Sequence, residues 1–208
     1  MKLVYSKIKK WYNENLEIYL KNGDVLMQDK LDKFLEYIPK KGKILDIGSG
    51  TGRDVNYFIE NNFDGIGIDF SEKMIDYANK NFNGKFSLME MTALDFQNEY
   101  FNGIWASSSL FTHLTSDDIE KALLEVERIL ACGGVFGFIV MKKEKNDIER
   151  KNFIFNKFTK KDILKKITDI GLTSFYVSIF HAHNRDWFYV LAKKGNSPTE
   201  DGSQQGNL

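Results

Sequence analysis

The chain has 208 residues, 42% hydrophobic and 14% aromatic, enough apolar material for one compact domain with a substantial core. Lysine plus arginine and aspartate plus glutamate each number 29, so the net charge is zero and no large single-sign field of the kind that drives tight nucleic-acid binding is present. One cysteine, Cys132, excludes an internal disulfide, and neither a signal-peptide pattern nor a run of about 18 apolar residues is visible, so a cytoplasmic protein without a membrane segment is expected.

Residues of about 5–20 and 25–38 place apolar side chains at helical spacing: Leu16, Ile18 and Tyr19, then Leu31, Phe34, Leu35 and Ile38. "KILDI" (43–47) reads as a short buried strand, followed by a helix over about 52–62. "GIGID" (65–69) is a second strand, and Ser71 is placed to cap the helix "SEKMIDYANKNF". "KFSLME" (85–90) and "GIWASS" (103–108) are the third and fourth strands. "TSDDIEKALLEVERIL" (115–130) is a helix that opens on a capping residue with acids in its first turn. Cys132 follows in "ILACGGV", where a small turn residue suits better than a nucleophile. "GGVFGFIVM" (133–141) is apolar at both parities, which marks a central strand. The connection "KKEKNDIERKNFIFNKF" (142–158), with Phe153, Phe155 and Phe158, either covers a ligand or is a solvated linker. "FTKKDILKKITDIGL" (158–172) is a helix stopping at Gly171, and "TSFYVSIF" and "DWFYVLAK" are two last strands joined by "HAHNR".

Strands alternating with helices predict an α/β fold: a Rossmann-like, seven-stranded, mostly parallel sheet with helices on both faces. The link between the last two strands is too short for a parallel crossover, so a C-terminal antiparallel hairpin closes the sheet. One domain is expected over residues 1–194, with 1–39 as an N-terminal helical cap or lid and 40–194 as the core; residues 195–208 are expected to be disordered. Ligands of such sheets bind beyond the carboxyl ends of the parallel strands.

The loop Gly48-Ser49-Gly50-Thr51-Gly52 stands at that end. A P-loop needs Lys and then Ser or Thr after its last glycine, and here Arg53 and Asp54 follow. A dinucleotide fingerprint spaces its glycines GxGxxG and rests a pyrophosphate on the helix N-terminus, whereas Asp46 just before this loop repels an anion and favours a cation. Asp69 ends the second strand, 17 residues beyond Gly52, where a carboxylate accepts both hydroxyls of a ribose. S-adenosylmethionine, with an adenosine, a sulfonium cation and no phosphate, fits such a site.

The stretches "ILDIGSGTGRD", "GIGIDFSEKMIDYA", "FSLMEMTALDF", "FNGIWASSSLFTHL" and "LLEVERILACGGVFGF" resemble, in order and spacing, the motifs of class I S-adenosylmethionine-dependent methyltransferases. "WYNENLEIY" and "RDWFYVLAKK" on the flanks are similar to a bacterial small-molecule branch of that family. The resemblance implies S-adenosyl-L-methionine as cofactor and S-adenosyl-L-homocysteine as product. It places the backbone of Gly48, Ser49 and Gly50 against the methionine portion, Asp46 near its amino group and Asp69 on the ribose. Phe70 and Met74 flank the adenine, Glu90 and Met91 meet its edge, and Ser107 lies below the sulfonium. Cys132 departs from the proline common in the family's "kPGG". Tyr12, on the N-terminal helix, is either a lid residue over the cofactor or a packing residue.

His113, in "SSSLFTHL" past the fourth strand, is the candidate general base, against the alternative of a hydrogen-bonded structural histidine. His181, His183 and Arg185 face an acidic substrate group if the sixth strand runs parallel to the others. No metal is expected, since no acid–histidine cluster has ligand spacing. The absence of an Asn-Pro-Pro-Tyr-like tetrad and of an RNA-binding module favours methyl transfer to O or N of a small molecule, with no nucleic-acid partner. A non-catalytic cofactor-binding scaffold and an NAD-dependent oxidoreductase are the alternatives.

Overall fold

The computed structural model describes residues 2–22, 25–144 and 155–196. Phe153 and residues 197–208, the greater part of the expected disordered tail, lie outside the described residues. Seven strands form one sheet: β1 (Lys43–Ile47), β2 (Asp64–Asp69), β3 (Lys85–Leu88), β4 (Phe101–Ser107), β5 (Leu130–Met141), β6 (Leu172–Ala182) and β7 (Arg185–Lys194). Their order is β3-β2-β1-β4-β5-β7-β6. Every pair is parallel except those of β7, which is antiparallel to both β5 and β6. β6 therefore points the same way as β1 to β5, and the β6–β7 hairpin turns at the carboxyl end of the sheet. The expected architecture is borne out.

Seven helices accompany the sheet: α1 (Lys2–Glu14), α2 (Leu16–Asn22), α3 (Gln28–Leu35), α4 (Arg53–Glu60), α5 (Glu72–Asn81), α6 (Ser116–Ile129) and α7 (Lys160–Asp169). Strand parity divides the core. Leu45, Ile47, Phe136 and Phe138 point to the face covered by Ile119, Leu123 and Val126 of α6 and Ile163 and Ile167 of α7. Ile44, Trp105, Val135 and Ile139 point to the opposite face, against Leu31 and Phe34 of α3 and Phe58 of α4. Polar caps fix where helices begin. The side chains of Ser71, Thr115 and Thr159 each accept a backbone N–H three residues on, and Asp162 completes a capping box with Thr159. Gly171 follows α7 at φ 78°, a left-handed stop that glycine adopts freely.

Three boundaries differ from the sequence reading. The first long helix is two, meeting at Asn15, whose backbone N–H and side-chain amide both donate to the Trp11 carbonyl, at 3.0 and 2.8 Å. α3 ends at Leu35 because Pro39 disfavours helical geometry in the residue before it. β5 starts at Leu130, since a register shift between Phe101 and Gly103 lets Leu130 pair with Phe101 ahead of the regular ladder. Cys132 sits in that irregular stretch. Among the described residues no helix is long and apolar enough to cross a membrane.

Glycine in a central strand weakens it, so its presence there marks a close approach. A Cβ on Gly137 would lie 2.8 Å from the Phe34 ring and 2.9 Å from that of Trp105. Gly137 thus leaves room for α3 to seat Phe34 on the sheet. Gly137→Ala is expected to destabilise the protein by about 1–3 kcal/mol through overpacking, read as a lower urea midpoint at unchanged m-value.

Candidate functional site

β1 delivers the glycine loop to the carboxyl edge, and neighbouring elements dictate its shape. The N–H groups of Gly48 and Ser49 both donate to the Ile68 carbonyl at 2.8 Å, which folds the loop back over β2. Gly48 has φ 75°, and a Cβ there would overlap Ser109, whose hydroxyl donates to the Ile47 carbonyl. Gly50 has φ 53° and donates its N–H to Asp69 Oδ2 at 3.0 Å, while the Ser71 N–H donates to Oδ1 at 2.8 Å. Asp69 is 7% exposed. Burial pushes its carboxyl up to about 6 despite the amide donors of Ser71, Gly50 and Phe70, and Glu90 adds to the rise. A carboxylate has about four acceptor sites, so even with these amide donors Asp69 retains capacity for a hydroxyl donor.

A second acid lies deeper. Asp46 is buried on β1, and its carboxyl is raised well above the usual range by burial and by Asp54 and Asp69, against which Arg53 acts. Asp54 is fixed by the Trp105 indole N–H at 2.9 Å and by Arg53 Nε at 2.7 Å. This corner favours a cation beside Asp46.

In front of the loop a cavity of about 220 Å³ opens at the carboxyl ends of the strands. Of the sequence-predicted residues, Gly48, Gly50, Asp69, Phe70, Met74 and Met91 line it, as do Ser107, His113 and Tyr12. Asp46, Ser49 and Glu90 are not in its wall. Asp46 stands behind the loop, and Glu90 is exposed beyond β3. The Ser49 side chain turns toward Gly67, where its buried hydroxyl has no hydrogen-bond partner among the described residues.

α1 covers the cavity. The Tyr12 hydroxyl and His113 Nε2 share a hydrogen bond of 3.1 Å, and the Tyr12 ring meets Phe70 edge-on at 5.9 Å. Burial and the negative charge of Asp69 push the Tyr12 phenol up to about 12, so it stays protonated at neutral pH. His113 also meets the Phe155 ring, at 4.9 Å. One side chain docks α1 onto the start of α5. Asn13 Oδ1 accepts from the Ser71 hydroxyl at 2.7 Å and the Lys73 N–H at 3.2 Å, and its amide donates to Glu72 at 2.8 Å. Lys9 adds an ion pair to Glu72 at 2.7 Å. Asn13 therefore serves as an extra cap supplied from another helix.

Tyr19, Arg53, His183 and Trp187 also line the cavity, with Val25, Met27 and Leu114. Sequence reasoning took Tyr19 for a core position and Arg53 for a structural ion pair; its bond to Asp54 is real, but the residue faces the cavity as well. Ser108, at φ 55°, carries backbone strain that no composition signal announces.

Residues 44–134 match the model of a family described as a methyltransferase domain. An uncharacterized protein of Methanocaldococcus jannaschii is 31% identical over 166 residues, covering 76% of this chain and 62% of that protein. The fold is similar to that of 1,6-didemethyltoxoflavin-N1-methyltransferase from Burkholderia thailandensis, solved with 1,6-didemethyltoxoflavin and S-adenosylhomocysteine bound. The TM-score is 0.78 at 17% identity, over 94% of this chain and 89% of that one. Magnesium protoporphyrin IX methyltransferase from Synechocystis PCC 6803, solved with S-adenosylhomocysteine bound, has a TM-score of 0.72 at 14% identity, over 92% of this chain and all of that one (100%).

Asn13→Ala removes three hydrogen bonds between α1 and α5. Amide hydrogen exchange in α1 is expected to accelerate about tenfold or more, the equivalent of about 1.4 kcal/mol, while exchange in α6 and α7 stays as it was.

Proposed function

Because this chain belongs to the class I S-adenosylmethionine-dependent methyltransferase family, we propose that it methylates an O or N nucleophile of a small molecule in the cytoplasm. The observation that carries this reading is Asp69, buried at the end of β2, held by backbone amides on both oxygens and lining the cavity. Such a group is suited to a ribose diol and unsuited to a phosphate. The glycine cradle and the Asp46 corner fit the same cofactor.

When bound, the cofactor supplies a methyl group on a sulfonium; the methyl–sulfur bond breaks with its electron pair going to sulfur as the acceptor–methyl bond forms. The chain's residues position the partners and manage charge, since alignment supplies much of the rate of an in-line displacement. Asp69 accepts the ribose hydroxyls. Asp46 and Arg53 provide an anion and a cation for the two charged groups of an amino-acid end. Phe70, Met74 and Met91, which line the cavity, would hold the adenine, Glu90 would meet its edge, and Ser107 would lie on the side of the sulfonium. His113 takes the proton that an O–H or N–H acceptor sheds, and the Tyr12 hydroxyl orients its ring. Tyr12 and α1 serve as the lid that excludes water. The small-molecule assignment is supported by the neutral net charge and by the small molecules named for the two similar structures.

Two outcomes test this. Calorimetric titration should show S-adenosylmethionine and S-adenosylhomocysteine binding to the wild type and neither binding to Asp69→Ala. His113→Ala should retain both affinities and lose about 10²–10⁴-fold in turnover once an acceptor is in hand. Silence toward both ligands in the wild type would sink the reading. The pH profile has a defined sign. The carboxylate accepts the ribose, Asp69 is protonated below about 6 in the free protein, and binding expels that proton. Affinity should be flat above neutrality and fall up to about tenfold per unit as pH drops below about 6, with proton release visible in buffers of different ionisation enthalpy.

A further inference from the structure

The acceptor side of the cavity has a polar pole for which the reaction so far has no use. We propose that His183 is a specificity-determining residue and that the acceptor is a planar heteroaromatic or phenolic ring held edge-to-edge between His183 and His113. This rests on the methyltransferase reading above.

The hairpin between β6 and β7 has a two-residue tip, His183 and Asn184, with φ of 49° and 58°. Two consecutive left-handed residues are the signature of a tight turn in which Asn-Gly is the low-strain choice. An imidazole-bearing residue held in that geometry at a cavity wall points to a role in binding. The surrounding side chains fix the tip. Trp187 donates its indole N–H to the Ala182 carbonyl at 3.0 Å, Arg185 donates to the Lys142 carbonyl at 3.0 Å, and Lys142 pairs with Asp186 at 2.6 Å.

The three basic side chains of this hairpin do not share one task. His181 is committed to Asp186 at 3.2 Å, and Arg185 binds the end of β5; neither lines the cavity. His183 does line it, and its imidazole has no hydrogen-bond or ion-pair partner among the described residues. His113 enters the same cavity from the loop after β4, on a different element.

The cavity that both imidazoles line also has apolar surface from Val25, Met27, Leu114 and the indole of Trp187, beside the hydroxyls of Ser107, Ser108 and Ser109. Among the described residues the charged members of the lining are Arg53 and Asp69, both assigned above to the cofactor. Among those residues a phosphorylated or polyanionic acceptor finds no further cation, and a wholly polar chain gains nothing from Leu114 and Met27. A flat ring with polar atoms on opposite edges satisfies both features. Its faces lie on apolar side chains, one edge meets His183, and the edge carrying the acidic O–H or N–H meets His113.

The test uses the whole protein saturated with S-adenosylhomocysteine and titrated with lumazine, a fused ring with an acidic N–H, and with 4-nitrophenol; cyclohexanol is the non-planar control. At least one ring should bind saturably and more tightly than cyclohexanol. His183→Ala should weaken that binding tenfold or more and leave S-adenosylhomocysteine affinity unchanged, which also shows that the variant is folded. His183→Asn, polar and tolerant of the left-handed backbone, should recover part of the loss, whereas His183→Gly, which only relieves strain, should not. Failure of both rings to bind, cyclohexanol binding as tightly, equal ring binding by His183→Ala, or full rescue by His183→Gly would overturn the proposal. If the wild type fails to bind S-adenosylhomocysteine, the methyltransferase reading itself falls and this proposal with it.

Discussion

The Asp69 carboxylate is the point at which the rest of the site is tied together. It ends β2, accepts one amide from the glycine loop after β1 and another from the residue that caps α5. Ser71, which supplies the second amide, caps α5 with its hydroxyl oxygen and donates the hydroxyl proton to Asn13 of α1. Strand, loop, α5 and α1 therefore converge on one buried acid through four polar contacts. An alanine at Asp69 would release the loop and the α5 start together, so its effect reaches beyond a single ligand contact.

Topology does the corresponding work on the acceptor side. Because β7 inserts antiparallel between β5 and β6, β6 regains the direction of the parallel strands and its hairpin turns over the same edge as the glycine loop. A seventh strand joined in parallel would have needed a crossover and left His183 and Trp187 at the opposite end. The glycines inside the sheet have a matching role. Gly103 and Gly137 admit Ile38 and Phe34 to the sheet surface, and α3 so placed brings Met27, its N-cap residue, to the cavity wall.

What the sequence disclosed follows the range of the interactions involved. The strands, the caps at Ser71 and Thr115, and the stop at Gly171 are local, written in alternation and in single capping residues, and they were legible. So was the meeting of the glycine loop with Asp69, because the two lie within 22 residues of each other on adjacent strands. The division at Asn15 was missed because the apolar period runs through it. Tyr19 was read as an apolar position of the first helix and Arg53 as half of an ion pair; only long-range packing turns them to the cavity as well. The Tyr12–His113 bond joins residues 101 apart, a pairing that neither segment encodes on its own.

The buried acids also explain why this loop is rich in glycine and poor in compensating charge. Asp69 and Asp46 both have carboxyls raised by burial, so the ligand-free fold prefers them protonated more than the unfolded chain does. By linkage, such groups make the ligand-free protein less stable as pH rises from the ordinary carboxylate range to their folded-state values: for Asp69, from about 4 to about 6. Nearby lysines could neutralise the acids permanently, but they would then compete with the cationic ligand for the same oxygens. Arg53, the one cation among the described residues of the lining, is paired with Asp54. A cofactor bearing an ammonium and a ribose supplies what both acids lack, so its binding free energy includes the relief of a strain that the fold holds in reserve.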